Sequence, residues 1–248
     1  MFGNLFQNIP PVTKNLLIVN FLFYLATMVF HSQGIIDLTE LLGLHYPMSP
    51  GFYPHQLVTY MFMHSEATFT HILFNMFAVL MFGRVLESTW GSKRFLIFYM
   101  VTGIGAGLVQ IVVAFIRIQS VTKGFSDAEI QLIVDQGYEY MQTMHNYSDP
   151  VLAQINALYN GTTVGASGAI FGILLAFGML FPNAQIMLLF PPIPMKAKWF
   201  VMIYGAIELY SGFANNPNDN VAHFAHLGGM LFGFILIKIW QRDKTRFY

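Results

Sequence analysis

The feature that most constrains this chain is a series of long apolar runs separated by polar segments. A helix that crosses a bilayer needs about 20 mostly apolar residues. Six runs approach that length, at about 15–31, 69–86, 95–118, 165–181, 199–213 and 221–240. A shorter apolar stretch at 57–63 is interpreted as a re-entrant segment before the second run. The sequence therefore predicts an all-α, polytopic membrane protein, folded as one six-helix bundle over residues 1–248.

The composition agrees with a lipid environment. Of the 248 residues, 55% are hydrophobic and only 10% are charged, whereas soluble domains carry about 25% charged residues. The formal net charge is zero, so no excess of positive charge favours nucleic acid as a partner. The chain has no cysteine, which excludes disulfides, thiolate metal sites and a cysteine nucleophile. No metal or cofactor is expected.

The distribution of Lys and Arg predicts the orientation, because cytoplasmic loops of membrane proteins are enriched in these residues. If the amino terminus is cytoplasmic, the outer segments hold only Arg117 and Lys123. The cytoplasmic segments then hold the other ten, which are Lys14, Arg84, Lys93, Arg94, Lys196, Lys198, Lys238, Arg242, Lys244 and Arg246. We therefore expect both termini to be cytoplasmic and the protein to lie in the cell (inner) membrane.

The segment 119–160 differs from the other connections in its length and acidity. It carries five acidic residues, and its apolar residues Ile130, Leu132, Ile133 and Tyr138 recur at near-helical spacing. These features predict an extracytoplasmic insertion with one or two short amphipathic helices. The first outer loop, 32–56, has no Lys or Arg and is expected to lie partly in the membrane interface.

Ser167 lies at the start of the fourth run, in the sequence Gly-Ala-Ser-Gly-Ala that begins at Gly165. One interpretation is helix packing, because small residues allow membrane helices to approach closely. The other is a nucleophile. The Gly-x-Ser-x-Gly elbow of soluble hydrolases does not apply, since the fifth residue is Ala169 and the context is not strand-turn-helix.

His226 lies near the end of the sixth run that the orientation places on the outer side, as it does Ser167. A serine hydroxyl becomes a good nucleophile only when a base takes its proton, and histidine suits that task. Glycines spaced four apart on both runs would bring the two helices close: Gly168 and Gly172, and Gly229 and Gly233. The alternative role for His226 is a structural hydrogen bond between helices.

His71 and Asn75 lie four residues apart in the second run and therefore share one helix face. Both side chains can donate hydrogen bonds. Acyl transfer requires donors aimed at a developing oxyanion, and His71, Asn75 and the backbone N–H of Ser167 could supply three. The alternative is a polar seam that only packs against another helix.

Four further polar residues stand in or beside the runs. Glu87, at the other end of the second run, is interpreted as structural, either capping the next helix or pairing with an Arg. Glu208 should be neutral or partnered if it is buried. His64 and His223 are possible additional members of the site, or interfacial and supporting residues.

Taken together and in this order, four motifs resemble the rhomboid family of intramembrane serine proteases. The similarity covers about residue 57 to the carboxyl end. The motifs are His71-x-x-x-Asn75, Gly83-x-x-x-Glu87-x-x-x-Gly91-Ser92, Gly165-x-Ser167-Gly168 and Ala225-His226-x-x-Gly229.

The resemblance implies a six-helix bundle with a Ser–His dyad that has no third, acidic member. Ser167 would be the nucleophile and His226 the general base, while His71, Asn75 and the Ser167 N–H would stabilise the oxyanion. Phe171 would stack on the catalytic histidine. Gly165, Gly168 and Gly229 would support the site, and the substrates would be transmembrane proteins in the lipid bilayer.

The chain departs from the family pattern in three places. Rhomboids often carry a histidine five residues before the His71 position, but Glu66 stands there and His64 lies seven before. The first outer loop lacks the Trp-Arg pair of many members, and the 119–160 segment is longer than usual. Substrate choice therefore does not follow from the resemblance.

The sequence favours an intramembrane serine endopeptidase over two alternatives. One is a catalytically silent rhomboid-like protein that binds membrane-protein clients; such relatives typically lack the serine or the histidine, and both are present here. The other is a haem-binding electron carrier that uses His71 and His226. A haem pocket, however, gives no reason for the Gly-Ala-Ser-Gly turn.

Overall fold

The computed structural model describes residues 9–66, 69–143, 145–187, 192–214 and 221–242. The predicted all-α class is confirmed, because helices dominate the described residues. In chain order the first helices are α1 (Pro11–Ser32), α2 (Leu38–Leu42), α3 (Gln56–Thr59), α4 (Phe69–Ala78) and α5 (Arg84–Trp90). They are followed by α6 (Ser92–Val121), α7 (Asp127–Gln142), α8 (Pro150–Asn160), α9 (Ser167–Leu180), α10 (Ala197–Ala214) and α11 (His223–Arg242).

Three short elements complete the fold. A 3₁₀ turn (Tyr60–Phe62) follows α3, and a π-helical turn (Val79–Gly83) joins α4 to α5, so that these form one continuous helix from Phe69 to Trp90. An antiparallel hairpin of β1 (Gln185–Met187) and β2 (Pro194–Lys196) stands between α9 and α10. This hairpin was not expected from the sequence.

Each of the six predicted runs coincides with a helix. Four helices are long and apolar enough to cross a membrane: α1, the continuous α4–α5, α6 and α11. Helix α9 is apolar but shorter, as its run predicted. The chain is thus a multi-pass membrane protein, while the exact number of six spans stays a prediction.

Helix α9 forms the centre of the bundle. Ten of its 14 residues are buried, and it packs against α6, α10 and α11. Its contact with α11 is so close that a Cβ atom at Gly229 would collide with the Gly168 carbonyl oxygen. A Cβ at Gly233 would lie 3.4 Å from the Gly172 Cα. The expected small-residue faces therefore meet each other, and backbone touches backbone.

The bundle's outer surface is strongly apolar. Large side chains are exposed on α1, α6 and α10, including Leu22, Ile116 and Phe213. Monomeric soluble proteins rarely expose contiguous apolar patches of more than a few hundred Å². Lipid is the solvent that stabilises such a surface.

The segment 119–160 folds as a pair of helices, α7 and α8, that pack against each other. Ser126 caps α7 by a capping box with Glu129, and Asp149 caps α8, both of which satisfy free N–H groups at the helix start. A separate apolar cluster lies beneath the pair, made of Ile118, Ile133, Val134, Ile155 and Tyr159.

The first loop is tied to the chain just before Ser167. Leu44 and Thr163 exchange two backbone hydrogen bonds of 2.9 Å, and His45 Nε2 lies 3.1 Å from the Thr162 hydroxyl and 3.2 Å from Glu40. Burial raises the pKa of the Glu40 carboxyl, but the hydrogen bonds from His45, Tyr138 and Thr162 and the charge of His45 together hold this pKa below its ordinary value. Ser49 in the same loop also donates a 2.8 Å hydrogen bond to Asn160 at the end of α8, so the loop contacts the insertion as well.

Candidate active site

A sharp turn positions Ser167 at the first residue of α9. Gly165 has a φ of +128°, a conformation that essentially only glycine adopts without strain, and its N–H donates to the Tyr60 carbonyl at 2.9 Å. A Cβ at Gly165 would also lie only 3.1 Å from His71 Nε2. The turn therefore requires glycine both for its backbone and for the space that His71 occupies.

The side chains of Ser167 and His226 form a hydrogen-bonded pair. Ser167 Oγ lies 2.8 Å from His226 Nε2, within the reach that a nucleophile and its base require. His226 is buried, and the Phe171 ring stacks on it with centroids 4.2 Å apart and planes at 9°. The structure thus brings together three residues from the predicted site, on two helices that touch at Gly168 and Gly229.

Glu208, on α10, extends this arrangement. Its Oε2 lies 2.8 Å from His226 Nδ1 and 2.7 Å from His223 Nδ1. Glu208 is only 8% exposed. The sequence indicated that a buried Glu208 would need a partner, but it did not indicate that the partner is the histidine beside Ser167. That contact depends on how α10 packs against α11.

His71 and Asn75 come from α4, which packs against α9. His71 lies beside the serine turn, as its distance to Gly165 shows. Asn75 is buried, and its Nδ2 has no hydrogen-bond partner among the described residues. A buried donor without a partner is costly, and no described residue uses this one.

His64 is fully buried and lies edge-on to His71, with ring centroids 5.2 Å apart. Neither of its ring nitrogens has a hydrogen-bond partner among the described residues. This side chain therefore lies inside the bundle beside His71, and its role as a site member or as an interfacial or supporting residue stays a prediction.

In the described part of the chain, one group of side chains could hold a metal ion: Glu208, His223 and His226, with ligand atoms within 4.8 Å of one another. These atoms already hydrogen-bond to each other. Haem ligation by His226 is disfavoured for a related reason, since its two ring nitrogens face Glu208 and Ser167.

Glu87 lies away from this site and joins three helices. Its carboxylate accepts hydrogen bonds from the Val12 and Thr13 N–H groups at the start of α1, and from the Ser92 hydroxyl at the start of α6. Carboxylates stabilise helix amino termini in this way. Glu87 thus caps α1 as well as contacting the next helix.

Comparison with known proteins gives a consistent result. The sequence profile described as Rhomboid domain matches residues 51–242. The chain is 28% identical to "Rhomboid protein 1, mitochondrial" of Saccharomyces cerevisiae over 189 residues, covering 75% of this chain. It is 26% identical to "Putative rhomboid protease YdcA" of Bacillus subtilis over 195 residues, 78% of this chain.

A third relative, "Rhomboid-like protein 11, chloroplastic" of Arabidopsis thaliana, is 25% identical over 238 residues, 92% of this chain. The matched regions make up 42%, 70% and 64% of the yeast, Bacillus and Arabidopsis proteins. The chain thus spans less than half the length of the yeast relative.

Proposed function

Because the chain belongs to the rhomboid family, we propose that it is a serine endopeptidase that cleaves peptide bonds in or near transmembrane segments of other membrane proteins. The observation that carries the proposal is the 2.8 Å hydrogen bond between Ser167 Oγ and His226 Nε2. A silent client-binding relative would not need this pair, so that alternative has less support.

The mechanism begins with proton transfer. His226 Nε2 takes the proton of Ser167 as Oγ attacks the scissile carbonyl carbon, which gives a tetrahedral oxyanion. His226 then gives that proton to the leaving amine, and an acyl-enzyme on Ser167 remains. Water attacks the ester with His226 again acting as base. The carboxylic acid product leaves, and the serine hydroxyl is restored.

Three donors would stabilise the oxyanion. Ser167 is the first residue of α9, where backbone N–H groups lack partners within the helix and the helix dipole favours negative charge. His71 lies beside the serine turn, and Asn75 Nδ2 is a buried donor. Donors that are already in place need little reorganisation when charge develops.

The substrate would enter from the lipid beside α10. This helix buries only four of its 18 residues, and Tyr210 and Phe213 are exposed by 78% and 73%. A substrate helix must unwind locally before its amide can reach Ser167, because helical peptide groups are hydrogen-bonded to each other. Water would reach the site from the outer face, between α4, α9 and α11.

The orientation predicted from Lys and Arg belongs to the same proposal. Residues 1–248 form one membrane domain with both termini cytoplasmic in the cell membrane, and the α7–α8 pair is an insertion on the outer side. The insertion would then lie on the same side as the Ser167 turn, to which the first loop links it.

Cleavage of a transmembrane reporter protein in liposomes tests the proposal. We expect wild type to cut the reporter, and Ser167→Ala and His226→Ala each to lose at least about 10⁴-fold in turnover, because nucleophile and base act as one unit. Ser88→Ala is the matched control, since Ser88 is an exposed serine of α5, and it should cut like wild type. Cleavage by Ser167→Ala at the wild-type rate would refute the assignment.

A further inference from the structure

We infer that Glu208 is a third member of the catalytic unit, which makes it a Ser167–His226–Glu208 triad and not the Ser–His dyad that the resemblance implies. The inference rests on the proposed protease function. Glu208 acts through His226 and is therefore a positioning residue, which holds the ring by Nδ1 and balances its charge when it takes the serine proton.

The geometry forms one continuous chain of hydrogen bonds. Glu208 Oε2 lies 2.8 Å from His226 Nδ1, and His226 Nε2 lies 2.8 Å from Ser167 Oγ. The three side chains come from α10, α11 and α9. A carboxylate oxygen that contacts Nδ1 fixes which ring nitrogen bears the proton, and this leaves Nε2 free to accept from the serine.

His223 and His226 share one oxygen of the Glu208 carboxyl. The same oxygen, Oε2, contacts Nδ1 of both His223 and His226, at 2.7 and 2.8 Å. An ionised carboxylate can accept from the Nδ1–H groups of both rings through this one oxygen. In the proposed triad Glu208 is in this form, which sets the His226 tautomer.

The Glu208 carboxylate matters because the histidine that it contacts is buried. His226 and Glu208 are exposed by only 7% and 8%. When His226 takes the proton of Ser167 it becomes an imidazolium, and a positive charge out of water is unfavourable unless it is paired. The Phe171 ring covers one face of His226. Glu208 supplies a negative charge at Nδ1, the ring nitrogen that does not contact Ser167.

One further contact orients the carboxylate, and a separate contact joins α10 to α6. His223 lies three residues before His226 on α11, on the same face, and orients Oε2 from the second side. On α10, the Gly212 carbonyl, one turn beyond Glu208, accepts a 3.0 Å hydrogen bond from Arg117 Nη2 of α6. The helix that carries Glu208 is thus joined to α6 as well as to α11.

The test compares Glu208→Gln, Glu208→Asp and Arg117→Met in the liposome reporter assay. Glu208→Gln keeps the shape of the side chain but loses its negative charge. Its amide can donate to His226 Nδ1 and favour the tautomer that is protonated at Nε2. We expect its kcat to fall by at least about 10²-fold with little change in KM, since the equivalent change in a serine protease triad costs about 10⁴-fold. Glu208→Asp keeps the charge and should recover part of the lost kcat.

Arg117→Met controls for displacement of α10. It removes the hydrogen bond to the Gly212 carbonyl but leaves the contacts of His226 unchanged. It should therefore lower the thermal unfolding temperature and keep kcat within about threefold. A second readout needs no variant of Glu208. In ¹⁵N-histidine-labelled wild type, His226, assigned by comparison with His226→Ala, should show the neutral tautomer protonated at Nδ1.

The outcomes separate the two proposals. Cleavage by Ser167→Ala at the wild-type rate would refute Ser167 as the nucleophile, and a wild type that does not cut would refute the protease function itself. If Ser167→Ala is inactive but Glu208→Gln cuts within about threefold of wild type, the triad is refuted and the Ser–His pair stands. If Glu208→Gln does not fold, the spectrum decides, because a His226 protonated at Nε2 alone would refute the triad.

Discussion

Asn75 is a buried side chain of the proposed site with an unused hydrogen-bond donor. Its Nδ2 is buried and has no hydrogen-bond partner among the described residues, a state that costs about 1–3 kcal/mol. A substrate oxyanion would satisfy it. An amide placed only to pack against a neighbouring helix would be expected to hydrogen-bond to that helix.

Asn75→Ala should therefore lower kcat by roughly 10²–10³-fold, the usual cost of one lost oxyanion donor, with His71 and the Ser167 N–H softening the loss. Labelling by a fluorophosphonate should slow but persist, because the nucleophile and its base remain. The reporter assay and a labelling time course measure the two effects. Full activity of a His71→Ala, Asn75→Ala double variant would show that this face serves packing only.

At the scale of helices, the site depends on the approach of α9 to α11. Ser167 and His226 are 59 positions apart in the chain, and their hydrogen bond forms because Gly168 and Gly229 let the two backbones touch. A methyl group at Gly229 would meet a backbone carbonyl, which cannot rotate away as a side chain can.

We expect Gly229→Ala to separate these helices, to lower stability by about 1–3 kcal/mol and to reduce kcat strongly, because the Ser–His distance grows. Gly205→Ala is the matched control, since its new Cβ would meet the flexible end of Met230 at 3.2 Å. Thermal unfolding in detergent and the reporter assay measure both variants. Wild-type stability and turnover of Gly229→Ala would contradict this account of the helix contact.

The sequence predicted the presence of the helices more accurately than the residues at which they end. The second run was expected to stop near residue 86, because Glu87, Ser88 and Thr89 interrupt the apolar pattern. The helix continues to Trp90, since Glu87 finds partners on α1 and α6 and Gly91, with a φ of +78°, ends it. The β hairpin was missed because three-residue strands leave little pattern.

At the scale of the whole molecule, the sequence did not predict contacts of the site between residues that are far apart in the chain. Local motifs in the sequence predicted a site of Ser167, His226, His71 and Asn75, and the family resemblance added Phe171. The sequence could not place Glu208 on His226, because that contact depends on the packing of α10 against α11. Nor could it show that Glu87 caps a helix 74 residues earlier in the chain.

The proposed orientation is also a property of the whole molecule, and single cysteines test it cleanly because the chain has none of its own. Ala128 is exposed on α7 and Gln241 at the end of α11. In intact cells an impermeant maleimide should label Ala128→Cys and not Gln241→Cys, while both should react after the membrane is permeabilised. The opposite pattern in intact cells would invert the topology and place the Ser167 turn on the cytoplasmic side.

The central claim is that Ser167 is a nucleophile activated by His226, and the most direct measurement is the site of covalent modification. Membrane-embedded protein is treated with a fluorophosphonate, digested and mapped by mass spectrometry. The adduct should lie on Ser167 in wild type and in Ser88→Ala, should be absent from Ser167→Ala and should form far more slowly in His226→Ala. An adduct on another residue, or equal labelling of Ser167→Ala, would contradict the account.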